Sequence, residues 1–316
     1  MVVREVPGPF RGYRFVDWAT QGFLAVVAVL LLLLHQRAPA GWGWVVAGHL
    51  AAMGAVHGLI RRAGAGNAGR LERFLREIYP ILLYTAFFRE TELINRALAW
   101  PRLDPAFLRW EHRLFGCQPS VALMDRLPRL AVSELFYAAY FSYYLMVAGL
   151  GLVLLVRNRP AFRHFLAVVS FVFYVCYLVH MVVPVIGPRL LFRETHERAW
   201  FLREYPQLPP PSYPEPVTHG PFFQIMAFIY RHFEALSAAF PSSHVAVAVT
   251  TAWFSWRYLP AIRWGHAVVT ALLCVATVYC RYHYAVDVPA GLLVAVILIP
   301  IGNRLHARWD APELRA

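Results

Sequence analysis

Charge is scarce in this chain. Only 15% of its 316 residues are charged, against about 25% in a soluble domain. Lysine is missing altogether, so the whole basic complement is arginine. With 59% hydrophobic residues and a mean hydropathy of +0.48, the composition excludes an ordinary soluble domain. Polar linkers between the apolar runs are absent too, which predicts one integral membrane domain over residues 1–316. Cys117, Cys176, Cys274 and Cys280 show no C-x-x-C spacing, and the last three lie in or at the end of apolar runs, where they read as inert packing. Internal repeats and low-complexity tracts are lacking. So is a signal-peptide pattern: the first apolar run, Trp18 to Leu34, is flanked by Arg4, Arg11 and Arg14, has no clean cleavage site after it, and reads as a retained span. The net charge of +12 does not indicate nucleic acid, because the arginines are dispersed among apolar runs rather than gathered on a polar domain.

What the chain does have is a series of runs long enough to cross a bilayer, which takes about 20 residues. Seven are clear, at about 18–34, 42–60, 131–156, 162–186, 243–258, 262–281 and 284–302. An eighth, 78–96, is weaker, apolar from Tyr79 to Phe88 and then polar at Arg89, Glu90, Glu92 and Asn95. The expected fold is all-α, a polytopic membrane helix bundle of about eight spans, or seven if 78–96 is re-entrant, with an outward-facing interfacial helix. Residues 131–304 would form a catalytic core of five spans. Arginines cluster at 61–76, 157–163, 257–263 and 304–315. If such loops face the cytoplasm, all four share one side only when 78–96 crosses. Both termini are then cytoplasmic, and the span ends at Pro184, His244 and His283 face outward. The arginine-rich, lysine-free composition suggests a bacterial plasma membrane with the site on its outer, periplasmic face.

Two outward segments are long. Residues 97–130 hold Trp100, Trp110 and Phe115 among mixed charges and predict an amphipathic helix at the interface, with Asp104, Glu111 and His112 on its solvated face. Residues 187–240 open with Gly187-Pro188-Arg189 and contain Leu208-Pro209-Pro210-Pro211, which cannot be helical. A helix from about Pro221 to Leu236 should lead into a turn at Pro241.

Two motifs carry the chemistry. In Phe240-Pro241-Ser242-Ser243-His244, proline suits the first turn of a helix. The free N–H groups at that positive end would suit an anion, with Ser242 and Ser243 adding hydroxyls and His244 able to donate a proton one turn in. In Arg281-Tyr282-His283-Tyr284-Ala285-Val286-Asp287, His283 and Asp287 stand four apart, as on one helix face. Asp287 could then accept from one ring nitrogen of His283 and leave the other nucleophilic. Arg281 could clamp phosphate oxygens. A hairpin of two spans would bring His244, His283 and Asp287 to one membrane face.

These stretches resemble the type-2 phosphatidic acid phosphatase superfamily. Within it the chain is most similar to the branch of fungal inositol phosphorylceramide synthases and their bacterial relatives, on Ala239-Phe240-Pro241-Ser242 with His244, and on His283-Tyr284 with Val286-Asp287. Weaker similarity runs through Phe115-Gly116, Tyr140 to Tyr144 and Gly187-Pro188-Arg189. The resemblance implies that His283 is a nucleophile forming a phosphohistidine, that Asp287 orients it, and that His244 protonates the departing alkoxide and then serves as base for the incoming hydroxyl. Water as acceptor gives a phosphatase; a lipid or sugar hydroxyl gives a phosphotransferase. The chain departs from the phosphatase pattern in three places. The upstream lysine-and-arginine phosphate motif has no convincing copy, Arg189 being the nearest substitute. Thr277 stands where that branch has an arginine, and Ser243 where it often has glycine. All three lean toward the synthase-like branch.

The reading is therefore a membrane lipid phosphotransferase moving a phosphorylated, inositol-phosphate-type head group between lipids, the alternative being an outward-facing lipid phosphate or diphosphate phosphatase. Membrane lipids are the expected partners, and no cofactor or metal is expected, since arginines, histidines and a helix N-terminus can supply the positive field. Glu90 and His180 are candidates for an acceptor pocket. Tyr140, Tyr143 and Tyr144 read as packing or interfacial aromatics, and His49, His57 and His266 as satisfied bundle histidines. A zinc site on the two histidines and Asp287, or a proton relay in a transporter, are readings from other classes.

Overall fold

Each of the eight apolar runs forms a helix. The computed structural model describes residues 8–66, 68–192, 195–206, 212–233 and 238–310, so Leu208-Pro209-Pro210-Pro211 and the expected helix end at Leu236 lie outside it. Among the described residues are thirteen α-helices and no β-strand. In chain order they are α1 (Phe15–Leu33), α2 (Trp42–Gly64), α3 (Arg70–Leu98), α4 (Asp104–Phe115), α5 (Pro119–Arg126), α6 (Leu130–Arg157), α7 (Arg159–Val182), α8 (His196–Glu204), α9 (Glu215–Thr218), α10 (Pro221–Phe233), α11 (Ser243–Tyr258), α12 (Arg263–Tyr279) and α13 (Asp287–Trp309).

The protein is an all-α polytopic membrane bundle. Among the described residues six helices are long and apolar enough to cross a bilayer: α1, α2, α6, α7, α12 with the turn from Pro260 that leads into it, and α13. Their outward side chains include Leu33, Trp44, Leu152, Val268 and Val296, all exposed. In water such continuous apolar faces would drive association; against lipid tails they cost nothing. Of the other two runs, α3 is 29 residues long but carries charge toward both ends, and α11 has 16 residues.

The chain divides into two compact units, one of Met1–Ala99, Gly151–Leu178 and Val296–Ala316, the other of Trp100–Leu150 and Val179–Ala295. The first is pinned by a buried acid. Asp17, in the first turn of α1, accepts from the Arg14 N–H at 2.6 Å, from Arg76 at 2.5 and 2.8 Å and from the Tyr79 hydroxyl at 2.6 Å. A buried carboxylate is tolerated because every donor around it is aimed at it. His49 pairs with Glu90 at 3.3 Å, His57 bonds Tyr13, and in the other unit His266 bonds Ser255, so all three histidines are satisfied within the bundle.

In the second unit, residues 97–130 form two helices rather than one. Gly116, at φ +68°, closes α4 in the left-handed region that glycine adopts without strain, and Pro119 opens α5 at a position where its missing N–H is no loss. The expected placement of Asp104 and Glu111 on a solvated face is corrected. Both are fully buried, on the stripe Asp104, Phe107, Leu108, Glu111 that faces the protein; His112 is half-buried.

Helices α11 and α13 approach so closely at their N-terminal ends that position 291 has room only for hydrogen. A Cβ on Gly291 would stand 2.5 Å from the Ser242 carbonyl oxygen and 3.0 Å from Val245 Cβ. Gly291→Ala should therefore force the two helices apart. Overpacking of this kind costs about 1–3 kcal/mol, and a shift near 1 Å can cost about 10²-fold in rate. Thermal unfolding and turnover of the purified variant in detergent should both fall; unchanged turnover would mean that the crossing does not set the site.

Candidate active site

Three segments of the second unit meet around the two histidines. The first is the chain from Val185 to Arg189, which pairs in parallel with the second at Val185 and Ala238, the Ala239 N–H donating to the Val185 carbonyl at 3.0 Å. Gly187 sits at φ +101°, and a Cβ there would lie 2.7 Å from the Tyr282 carbonyl oxygen and 3.3 Å from Ala239 Cβ. Only glycine lets the three segments touch at that point.

The second segment runs into α11. Ser242 is its cap, the hydroxyl oxygen accepting from the Val245 N–H at 3.3 Å, so Pro241 precedes the cap instead of occupying the first turn. The helix then begins at Ser243, with His244 at its positive end.

The third segment is the loop from Cys280 to Val286. His283 and Asp287 do not share a helix face, as their spacing had predicted. Helix α13 starts at Asp287, and His283 belongs to the loop before it, whose Tyr282 and His283 N–H groups donate back to Thr277 at 3.1 and 3.0 Å. The pair forms because the Asp287 carboxylate, at the start of a helix, accepts from the Tyr284 N–H at 2.9 Å and from His283 Nδ1 at 3.2 Å. The Ser242 N–H donates to the Asp287 carbonyl at 3.2 Å, tying the second segment to the third.

His283 Nδ1 also lies 2.9 Å from the Ala239 carbonyl oxygen. A carbonyl can only accept, so Nδ1 carries the hydrogen and Nε2 keeps its lone pair. Burial pushes the pKa of this ring down to about 3, which keeps it neutral.

His244 is the half-buried member of the group, while His283 and Asp287 are buried. The two rings lie 5.6 Å apart, centroid to centroid. Tyr140 and Tyr143 flank His244 at 5.0 and 4.8 Å. They are walls of the site as well as packing aromatics. The Tyr140 hydroxyl meets that of Tyr230 at 2.5 Å, Tyr230 stacks on Tyr282 at 4.0 Å, and the Arg189 guanidinium lies 4.8 Å from the centre of the Tyr230 ring.

Of the two candidate phosphate-binding arginines, Arg189 is the one on the side of the histidines: its guanidinium lies over Tyr230, which stacks on Tyr282, the neighbour of His283. Arg281 is held elsewhere. Its buried guanidinium donates to Asp125 at 2.5 Å, to the Ser212 carbonyl at 2.7 Å and to the Val121 carbonyl at 3.4 Å, and stacks over Phe192. A fully buried cation needs acceptors, and these supply them. His180 is beside the site, its Nε2 3.0 Å from the Pro241 carbonyl. Glu90 is not among these residues; it is paired with His49 in the first unit. Ser243 is buried in the first turn of α11. Among the described residues no three His, Cys, Asp or Glu side chains converge as a metal-ligand set.

Sequence reasoning passed over Asp104 and Glu111. Asp104 accepts from the Gly187 N–H at 2.9 Å, the Ile186 N–H at 3.1 Å and the Tyr284 hydroxyl at 3.0 Å, and Glu111 accepts from the Ala285 N–H. Their signal was register: positions 104, 107, 108 and 111 repeat as one buried helix stripe does.

The site lies inside a recognisable family region. The profile of the PAP2 superfamily matches residues 105–301, more than half of the chain. This protein belongs to the PAP2 superfamily. A PA-phosphatase related-family protein of Dictyostelium discoideum is 36% identical over 65 residues, which are 21% of this chain and 12% of that protein. The chain thus matches only a small part of that relative's length. No solved structure matches significantly.

Proposed function

We propose that the chain is a membrane lipid phosphotransferase of the inositol phosphorylceramide synthase type, working through a phosphohistidine on His283. The observation that carries this is the double hold on Nδ1 by Ala239 and Asp287, which leaves a neutral imidazole with Nε2 as its lone-pair atom next to a second histidine. In the first half-reaction the Nε2 lone pair attacks phosphorus, the bond from phosphorus to the departing lipid oxygen breaks, and His244 gives that oxygen its proton. In the second, His244 takes the proton of an acceptor hydroxyl, the acceptor oxygen attacks phosphorus, and the P–N bond breaks to restore the lone pair. The loosened proton on His283 Nδ1 stays between the Ala239 carbonyl and Asp287 throughout, where the carboxylate steadies the charge that builds on the ring. Arg189 and the α11 N-terminus face the phosphoryl oxygens.

The charge balance favours a phosphodiester donor. Arg189 lies over Tyr230, next to the ring of Tyr282 that precedes His283, while Arg281 is paired with Asp125. A site so supplied suits a singly charged diester better than a doubly charged monoester. The two tyrosines that flank His244, Tyr140 and Tyr143, also favour a hydroxyl-bearing acceptor over bulk water. In this reading the site opens on the outer face of a bacterial plasma membrane with both ends of the chain cytoplasmic, the arrangement that puts all four arginine clusters on one side when residues 78–96 cross. The second reading is a lipid phosphate phosphatase, and the name of the Dictyostelium relative favours it.

The fate of labelled phosphorus separates the two. Purified protein in mixed micelles is given phosphatidylinositol, phosphatidate or an isoprenyl diphosphate, labelled at phosphorus, with and without ceramide or diacylglycerol. The expected result is a new labelled lipid that forms only with the acceptor. Free phosphate released regardless of acceptor would establish the phosphatase instead.

A further inference from the structure

We propose that Asp104 and Glu111 are positioning residues of this site, holding its three segments in register from one face of α4. The proposal rests on the reading of His283 as nucleophile. Seven residues apart, the two carboxylates stand two helical turns from each other on a rigid element, about 10 Å along its axis. Asp104 joins two segments by itself: it takes the N–H groups of Ile186 and Gly187, just before Arg189, and the hydroxyl of Tyr284, just after His283. Glu111 takes the N–H of Ala285, midway between His283 and Asp287. Between them Phe107 lies 5.5 Å from the Tyr284 ring and 5.1 Å from the Phe240 ring, and so reaches the segment that leads to His244. One helix face thereby touches all three segments, and none of its contacts is with a reacting atom.

The chemistry of the two acids fits that work better than simple packing. Loop N–H groups with no helical or strand partner must find an acceptor, and a carboxylate can serve several at once. Burial pushes the pKa of Asp104 up to about 6, while the N–H groups of Gly187 and Ile186 pull it back. Glu111 is pushed up to about 8, by burial first and by the nearby charge of Asp287, against the pull of the Ala285 N–H. A neutral Glu111 needs only its carbonyl-type oxygen to hold Ala285, which glutamine reproduces. Asparagine at 104 keeps one such oxygen but sets an NH2 group against a backbone N–H.

Orthovanadate tests this without knowledge of the lipid, because vanadium accepts a fifth ligand and an imidazole nitrogen at a phosphoryl-transfer site can supply it. Full-length wild type in detergent should bind it in calorimetry, and His283→Ala should not. Asp104→Asn and Glu111→Ala should each bind about tenfold more weakly or worse, with thermal unfolding close to wild type, and Glu111→Gln should recover most of the loss. Wild-type affinity in both Asp104→Asn and Glu111→Ala would overturn the proposal, as would losses that follow only the folded fraction or that glutamine fails to restore. If wild type does not bind, or His283→Ala binds equally well, the nucleophile reading falls and takes the positioning role with it.

Discussion

His283→Ala should be folded in detergent and essentially dead, with turnover reduced on the order of 10⁴-fold or more. In the proposed mechanism the variant loses the atom that bonds to phosphorus, and no neighbouring group takes its place: His244 is assigned to the leaving oxygen, and Asp287 is buried. The fold should bear the change, because the orphaned Ala239 carbonyl costs only about 1–3 kcal/mol. Asp287→Asn is the sharper partner. Its amide oxygen can take the place of Oδ2 and accept from both the Tyr284 N–H and His283 Nδ1, so the tautomer is kept. What is lost is the negative charge that steadies the ring as it becomes cationic, and turnover is expected to fall by up to about 10⁴-fold. Steady-state turnover of both variants, set beside their unfolding curves, checks this. Full activity in His283→Ala would remove the phosphohistidine mechanism altogether.

His244→Ala should separate the two half-reactions. With a lipid donor, the departing alkoxide is a poor leaving group without a proton, and the loss should reach about 10²–10⁴-fold. With a nitrophenyl phosphodiester the leaving group departs unprotonated, so His283 should still attack at a rate close to wild type. The second half-reaction would then stall, because no base remains to activate the acceptor. Rapid-mixing experiments should show one equivalent of nitrophenolate per protein, followed by almost none, and an acid-labile, base-stable phosphoryl label on the protein. Steady release at the wild-type rate would show that His244 is not the acid and base.

Much of the fold was legible because hydrophobic runs are a bulk property: each of eight runs became a helix, and α11 keeps the boundaries 243–258 that the sequence suggested. His244, His283 and Asp287 stood out for a related reason, as ionisable groups at the ends of apolar helices. Finer placements depended on contacts that spacing does not encode. A four-residue interval looks helical whether or not the chain is, and here a loop folds His283 back to Asp287. Arg281 and Arg189 are alike as letters, and what separates them is that Asp125, Ser212 and Val121, distant in sequence, surround one of them. Asp104 and Glu111 were assigned to solvent by their charge, though their register with Phe107 and Leu108 placed them inside. Where charge and periodicity disagreed, periodicity was the better guide, because the fold supplied each acid with donors.

The shortness of α11 has a consequence for depth. Sixteen residues at about 1.5 Å each reach about 24 Å, whereas the hydrocarbon layer is about 30 Å thick. Trp256, Arg257 and Tyr258 end the helix with the side chains that seek a membrane boundary. Were that boundary its anchor and its axis along the bilayer normal, the helix would stop some 6 Å short of the far boundary by the same arithmetic, setting His244 beneath the level of the head groups. Chemistry at that depth favours an acceptor that already lives in the bilayer. A long-chain alcohol needs only to slide sideways to meet the phosphorus, whereas each water molecule would have to be drawn down from the surface.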